Sequence, residues 1–498
     1  MLKTMKKIYT NRIIGFIAIV SVAGIFSCKK LTENPSGIIV SSQFYKTASD
    51  AASAVNAVYS TLNSDPAGDF PLYGRQLNLL VENGSDNQIY SPSNTNPDVR
   101  ALGTATYISS NSRVQKVWQQ LYYGINRANI AIDNIPAIQM DTALRARLVR
   151  ESKFIRGLLY FDLVRLYGPV PLILHNPSSI NVNALLVGRT SADSVYAQII
   201  TDLKDATSLP KSYGGADLGR ATGGAAHTLL AKVYLTKQDW SNALAQLNTV
   251  INGGYGYALF PNYYDAFQKA TKNGKEHIFS VQFETNLGAV NSTQYLSESF
   301  SSFNTNTFPI DIPADSSLYK LYSPTDTRRA VTFYTSVYNT ATGQTVVYHN
   351  AYTPYLNKFV DYSLSPLSIQ AQSGVNYPVL RYADVLLEYA EVKNELNGSP
   401  TSDAYAAINQ VRTRANVPSL TPGLNQSDFR DSVFLERRKE FIQEGHRWFD
   451  LTRRGGTALV DALHKFPAKS AASSKNNLFP IPLVEIQLNP KLTQNPGY

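Results

Sequence analysis

Residues 436–455 read ERRKEFIQEGHRWFDLTRRG, and four acids, six bases and one histidine crowd into this single stretch. Two readings compete: an active site, or a helix with a charged edge. Drawn on a helix, Phe434, Phe441 and Trp448 fall seven apart, and Gly445 and Phe449 join that face as a buried stripe. Glu436, Glu440 and Glu444 follow at spacing four on a neighbouring edge. Arg437 lies three before Glu440, Glu444 three before Arg447, Arg447 three before Asp450, and Asp450 four before Arg454. Residues three or four apart on a helix are neighbours, and each exposed ion pair contributes about 0.2–0.5 kcal/mol. A catalytic acid needs a perturbed pKa and an open site, whereas these groups have partners at hand. The spacing therefore predicts one packed helix edged by a ladder of ion pairs.

Moving outward, helical period dominates much of the chain. SSQFYKTASDAASAVNAVYSTLNS (residues 41–64) sets Phe44, Ala48, Ala51, Ala52, Val55, Val58, Tyr59 and Leu62 at helical spacing. Residues 112–135 and 143–168 are also helical, and Gly168-Pro169-Val170-Pro171 stops the second because proline cannot extend the hydrogen-bond ladder. Residues 225–251 form the clearest hairpin. Ala225, Leu229, Ala231, Val233 and Tyr234 line one helix, residues 237–240 turn, and Ala243, Leu244, Leu247 and Val250 line the next. Small residues at crossings beside large ones suit a tetratricopeptide-like pair. A second hairpin spans residues 382–415. Two stretches break the pattern, about 65–111 and 253–378, where Gly, Pro, Asn, Ser and Tyr replace helical period. The expected fold is mainly α, with tetratricopeptide-like helical hairpins as a scaffold and long irregular loop and short-strand insertions. Irregular segments on a rigid frame are where binding concentrates.

The N-terminus predicts export. A basic, acid-free start precedes the apolar run Ile13–Ser27 and then Cys28. Basic, apolar and small-residue regions in that order make a secretory signal, and the run is too short for a membrane span. Ile25-Phe26-Ser27-Cys28 resembles a lipobox, so residues 1–27 are expected as a signal peptide, 28–498 as a single mature domain and Cys28 as the acylated residue. Cys28 is the only cysteine, which excludes an intramolecular disulfide and any cysteine-based metal site. Loss of Lys3, Lys6, Lys7 and Arg12 takes the formal charge from +9 to +5. The remaining bases form no long arm, so nucleic-acid binding gains little support.

The sequence has no H-E-x-x-H, no paired C-x-x-C, no G-x-S-x-G and no phosphate-cradling G-x-x-x-x-G-K-[ST]. The six histidines (175, 227, 277, 349, 446, 464) share no helix-turn spacing, and no metal site or cofactor is expected. Glu82 and Asp86 could be paired carboxylates for glycoside hydrolysis, but Gly84 between them indicates a turn. Asp86 and Asn87 suit equally a helix cap or hydrogen bonds to sugar hydroxyls. With 31 tyrosines against 3 tryptophans, the chain favours a side chain that serves both helix interfaces and wet binding surfaces.

Several segments resemble the SusD/RagB family of nutrient-binding lipoproteins. They are RESKFIRGLLYFDLVRLYGPVPLI (150–173), RYADVLLEYAEVKNELNG (381–398) with AINQVRTRANV (407–417), the opening stretch, and LFPIPLVEIQLNPKLTQNPGY (478–498). The resemblance implies four tetratricopeptide-like helix pairs in a SusD-like domain. It implies an outer-membrane lipoprotein, lipid-anchored at the cell surface, that is not an enzyme, sits as a lid on a SusC-like TonB-dependent β-barrel transporter and hands it an oligosaccharide. A peptide-binding lid of the RagB type is the alternative. Lys29 and Lys30 precede the first acid, Glu33, in the expected tether. Family ligand contacts map onto the two irregular segments, which makes Asp86, Asn87, Tyr90 and Tyr107 the candidates in the first and Tyr295, Phe300 and Phe303 those in the second. An exposed aromatic cradle is expected there, because aromatic faces stack on sugar rings while polar groups bond the hydroxyls.

Overall fold

The computed structural model describes residues 44–90, 94–177, 182–285, 311–313, 316–339, 343–347, 354–364 and 373–498. Residues 47–498 form one compact unit. Its frame is helical. Helix α1 (Ala48–Asn63) starts at a capping box, in which Thr47 accepts from the Asp50 N–H and Asp50 accepts from the Thr47 N–H. Short helices α2 (Leu77–Asn83) and α3 (Pro97–Gly103) follow. Then come α4 (Ser112–Asn134), α5 (Thr142–Tyr167), α6 (Ala192–Ala206), α7 (Gly223–Thr236) and α8 (Trp240–Asn252). After the irregular insertion the chain resumes as α9 (Tyr382–Asn397), α10 (Ser402–Arg414), α11 (Gln426–Glu440) and α12 (Arg447–Arg454).

The helices stack largely in chain order. α4 packs on α5, α5 on α6, α6 on α7, α7 on α8, α8 on α9, and α9 on α10 and α11. Each helix thus buries its apolar face against its neighbours, the arrangement of helical-repeat proteins. α5 is buried almost all round from Phe154 to Tyr167, which marks it as the central member. The α7–α8 hairpin follows its pattern: Ala225, Leu229, Ala231, Val233, Tyr234, Ala243, Leu247 and Val250 are buried, while Leu244 is half-buried. Asp239 caps α8 by accepting from the Asn242 N–H.

The irregular segments contain more helix than their composition suggests. α2 and α3 lie within 65–111, and Ser316–Lys320 and Arg328–Thr332 within 253–378. Helices of two turns or fewer carry too few residues to show a period. The strands are short and paired in twos, all antiparallel. β1 (Gln88–Tyr90) pairs with β3 (Asp311–Pro313), setting Tyr90 opposite Asp311 and Gln88 opposite Pro313. β2 (His277–Val281) pairs with β4 (Tyr377–Arg381), largely buried.

The opening stretch departs from expectation. The helix does not run through it: α11 ends at Glu440, residues 441–446 turn, and α12 begins at Arg447. Gln443 and Gly445 take φ of +66° and +74°. A side chain at 445 would also crowd the Tyr377 hydroxyl at 3.1 Å, so glycine suits the position twice over. The freed carbonyls at the end of α11 find distant donors. Tyr263 Oη donates to the Glu440 carbonyl at 2.6 Å, Lys358 Nζ donates to it at 3.0 Å, and Tyr322 Oη donates to that of Lys439 at 2.7 Å.

Candidate functional site

The charges of residues 436–450 lie in the interior. Glu436, Arg437, Glu440, Glu444 and Asp450 are all buried. None of the four local pairs expected along a helix edge forms among the described residues. The glutamates reach instead to distant parts of the chain, while Asp450 pairs with Arg437 across the turn and with Arg453 inside α12. Glu440 meets Arg414 at 2.5 Å, Arg381 at 3.1 Å and Arg328 at 3.1 Å. Glu444 meets Arg381 at 2.7 Å and Lys358 at 2.9 Å. Glu436 meets Arg328 at 2.6 Å and Arg412 at 2.7 Å. Arg437 bridges Asp384 at 2.7 Å and Asp450 at 2.9 Å. The helix break accounts for the Glu444–Arg447 pair alone; the other three lie within α11 or α12, and their members are drawn instead to partners that the tertiary fold brings closer.

Burial alone would raise the Glu440 carboxyl, but Arg414, Arg381 and Arg328 outweigh it and hold the group below the ordinary carboxylate range. Burial drives Lys358 down to about 8 despite Glu444 beside it. His446 is buried and held neutral by desolvation, against the pull of Asp384. Its ring stacks on Phe441 with centroids 4.5 Å apart. These groups are saturated by one another and by carbonyls, so the stretch is a charged frame.

That frame grips the first irregular segment. Asp86, buried, receives Arg447 through Nε at 2.7 Å and Nη2 at 2.9 Å, and Arg438 at 3.1 Å. Burial would raise Asp86, and the two arginines more than reverse it. Asn87 accepts from Arg438 Nε at 3.0 Å and donates to Glu82 Oε2 at 3.3 Å. Glu82 also accepts from the Gly445 N–H at 2.8 Å, and burial pushes its carboxyl up to about 7. Lys469 Nζ donates to the Asn83 carbonyl at 2.5 Å. Asp86 and Asn87 therefore spend their polar atoms on internal partners. They are neither helix caps nor exposed ligand contacts, and Glu82 with Asp86 forms no open pair of carboxylates.

Tyr107 departs from expectation in the same way. It is 1% exposed, stacked on Phe479 at 5.0 Å and near Tyr498 at 6.1 Å, and burial pushes its hydroxyl up to about 12. It has no free face for a sugar ring. Tyr90 differs: it is half-buried, and the exposed Arg100 of α3 holds its guanidinium 4.9 Å from the ring centroid. The ring lies so close to α3 that a side chain at Gly103 would meet Tyr90 Cδ1 at 2.8 Å. Sequence reasoning missed Arg100, because a cation ten residues away signals nothing until α3 folds back on β1. Tyr295, Phe300, Phe303 and Cys28 lie outside the described residues. The β1–β3 ladder nevertheless joins the two irregular segments in one place, at Tyr90 and Asp311.

The comparisons with known proteins agree with this architecture. Residues 287–498 match the SusD family, and residues 43–235 match the family described as starch-binding associating with outer membrane. The chain belongs to the SusD family. It is 28% identical to SusD-like protein P2 of Formosa agariphila, over 96% of this chain and 98% of that one. It is 22% identical to the starch-binding protein SusD of Bacteroides thetaiotaomicron, over 81% and 82%. A solved laminarin binding SusD-like protein superposes with a TM-score of 0.74 at 25% identity, covering 91% of this chain and all of that one.

Proposed function

We propose that this protein binds a nutrient oligosaccharide at the outer membrane and delivers it to a SusC-like TonB-dependent β-barrel transporter, without breaking a bond. One observation carries the reading: the β1–β3 ladder brings the two irregular segments together beside a half-exposed tyrosine and an exposed arginine. An aromatic face with a neighbouring polar donor is the combination that a sugar ring and its hydroxyls require. Relatives named for binding starch and laminarin share the fold, which supports the ligand class. Tyr90 and Arg100 form the near side of the site in this reading, and Tyr295, Phe300 and Phe303 supply further aromatics from the second segment. Asp86 and Asn87 hold the loop in position through Arg447 and Arg438. Acylated Cys28 anchors the protein.

Calorimetric titration with maltoheptaose and laminarihexaose tests the site. Tyr90→Ala loses more than about tenfold in affinity, or roughly 1.4 kcal/mol, with the melting temperature held. Unchanged affinity for a bound sugar in Tyr90→Ala and Arg100→Ala places the site elsewhere. Replacing Cys28 with Ala releases the protein from membranes in cells that lack the transporter, and retention in the membrane fraction refutes the anchor.

A further inference from the structure

A second polar groove opens on the helical frame, where the loop from Lys211 to Thr222, the turn Gly253–Tyr257 and strand β2 meet. It consists of two adjoining recesses of about 180 and 230 Å³ that share Leu218, Gly219, Arg220, Phe279 and Ser280. Ligand sites commonly span about 300–1,000 Å³, so the two recesses together are of suitable size. Leu218, at the lip, is half exposed.

Three buried polar atoms on the lining have no hydrogen-bond partner among the described residues: Ser280 Oγ, Tyr213 Oη and His277 Nδ1. Buried polar groups are almost always satisfied, so three orphans in one groove point to something that fills it. His277 donates from Nε2 to the Ala266 carbonyl at 2.9 Å, and burial keeps the ring neutral. Its Nδ1 is therefore a bare acceptor. Two hydroxyls and a bare acceptor can both give and take hydrogen bonds, as a polyhydroxylated ligand demands. The sequence NGGYGYA (252–258) supplies a wall: Tyr255 and Tyr257 lie parallel, 8° apart, with centroids at 5.8 Å. Neither recess has an aspartate or glutamate in its lining. Arg220 is committed to Glu151 and Asp217, and Lys211 donates to the Gly253 carbonyl, while Lys275 stands exposed at the rim.

We propose that this groove binds an acidic saccharide, a uronate-bearing unit whose carboxylate faces Lys275 and whose hydroxyls meet Ser280, Tyr213 and His277. The site is separate from the Tyr90 face and does not depend on it.

The test titrates the full mature protein with tetrasaccharides of galacturonate, glucuronate-containing and mannuronate type, and with neutral maltotetraose. At least one acidic tetrasaccharide binds the wild type, and its affinity falls with added salt. Lys275→Glu weakens it at least tenfold with an unchanged melting curve, because the side chain is exposed. Tyr255→Ala weakens it similarly, and Tyr90→Ala leaves it unchanged. Failure of all three acidic probes overturns the proposal and leaves a recess that holds only water. A loss in Tyr90→Ala with normal binding in Lys275→Glu and Tyr255→Ala also overturns it, while supporting the Tyr90 site. Loss in Tyr255→Ala but not in Lys275→Glu overturns the acidic assignment. Maltoheptaose and laminarihexaose binding, measured separately, reports on the Tyr90 site alone.

Discussion

The buried frame of residues 436–450 and the arm that carries Tyr90 use the same kinds of side chain to opposite ends. In the frame, Glu440 is enclosed by three arginines, and the buried carboxylates Glu436, Glu444 and Asp450 are likewise answered from inside the protein. On the arm, the exposed Arg100 lies over a half-buried ring and leaves polar atoms for solvent or ligand. The difference teaches that a dense run of charges is a weak sign of a binding site when each charge can be paired by a distant partner. Buried ion pairs resist loss of one member because the survivor is left uncompensated, which makes them good fixtures and poor receptors. Asp86 links the two regions, since it sits on the arm's segment and is held by Arg447 of the frame.

The largest test of this contrast removes a charge from the frame. Glu440→Ala leaves Arg381, Arg414 and Arg328 short of a partner and destabilises the protein by about 3–5 kcal/mol in denaturant unfolding. A change below about 1 kcal/mol would show that the frame is soft. Trp448→Ala, at a fully buried ring stacked near Phe479, costs a similar amount, about 3–5 kcal/mol, by leaving a cavity.

The next test uses pH. Glu82 titrates near 7 in the folded protein against an ordinary 4.5. Its folded pKa is raised, so the folded state binds the extra proton between those values. The contribution is fully present below about 4.5 and is lost as pH rises through 7, by about 3 kcal/mol in total. Glu82→Gln removes that component, so wild type loses stability relative to the variant from pH 4.5 to 7. Parallel profiles for the two proteins would refute the raised pKa.

Arg447→Met then probes the link between frame and arm. It leaves Asp86 with Arg438 alone and lowers stability by about 1.5–3 kcal/mol. If Asp86 positions the arm, sugar affinity falls as well. The smallest effect is at the arm itself. Tyr90→Ala costs roughly 1.4 kcal/mol of binding and little stability, because the ring is half-buried. A large melting shift in Tyr90→Ala would place Tyr90 in the frame instead.

The helical scaffold was legible in the sequence because period and capping are local. Leu229, Val233 and Leu247 announce their faces within one or two turns, and Asp239 announces the start of α8. The resemblance to a known family was equally legible, whereas Gly445 read as part of a helical face and proved to be a turn residue with φ of +74°. The break after Glu440 was not, because its stabilising donors, Tyr263, Tyr322 and Lys358, come from the irregular insertion far away in the chain. The same reason hid the burial of Asp86 and Asn87, whose arginines lie beyond residue 430, and of Tyr107, covered by Phe479 and Tyr498. Sequence by itself determined where the long helices lie, since period and caps follow from near neighbours along the chain, but not the short helices within 65–111 and 253–378 nor the break after Glu440. Tertiary structure alone decided which charges and aromatics remain free for a ligand, since burial depends on partners that only folding brings together.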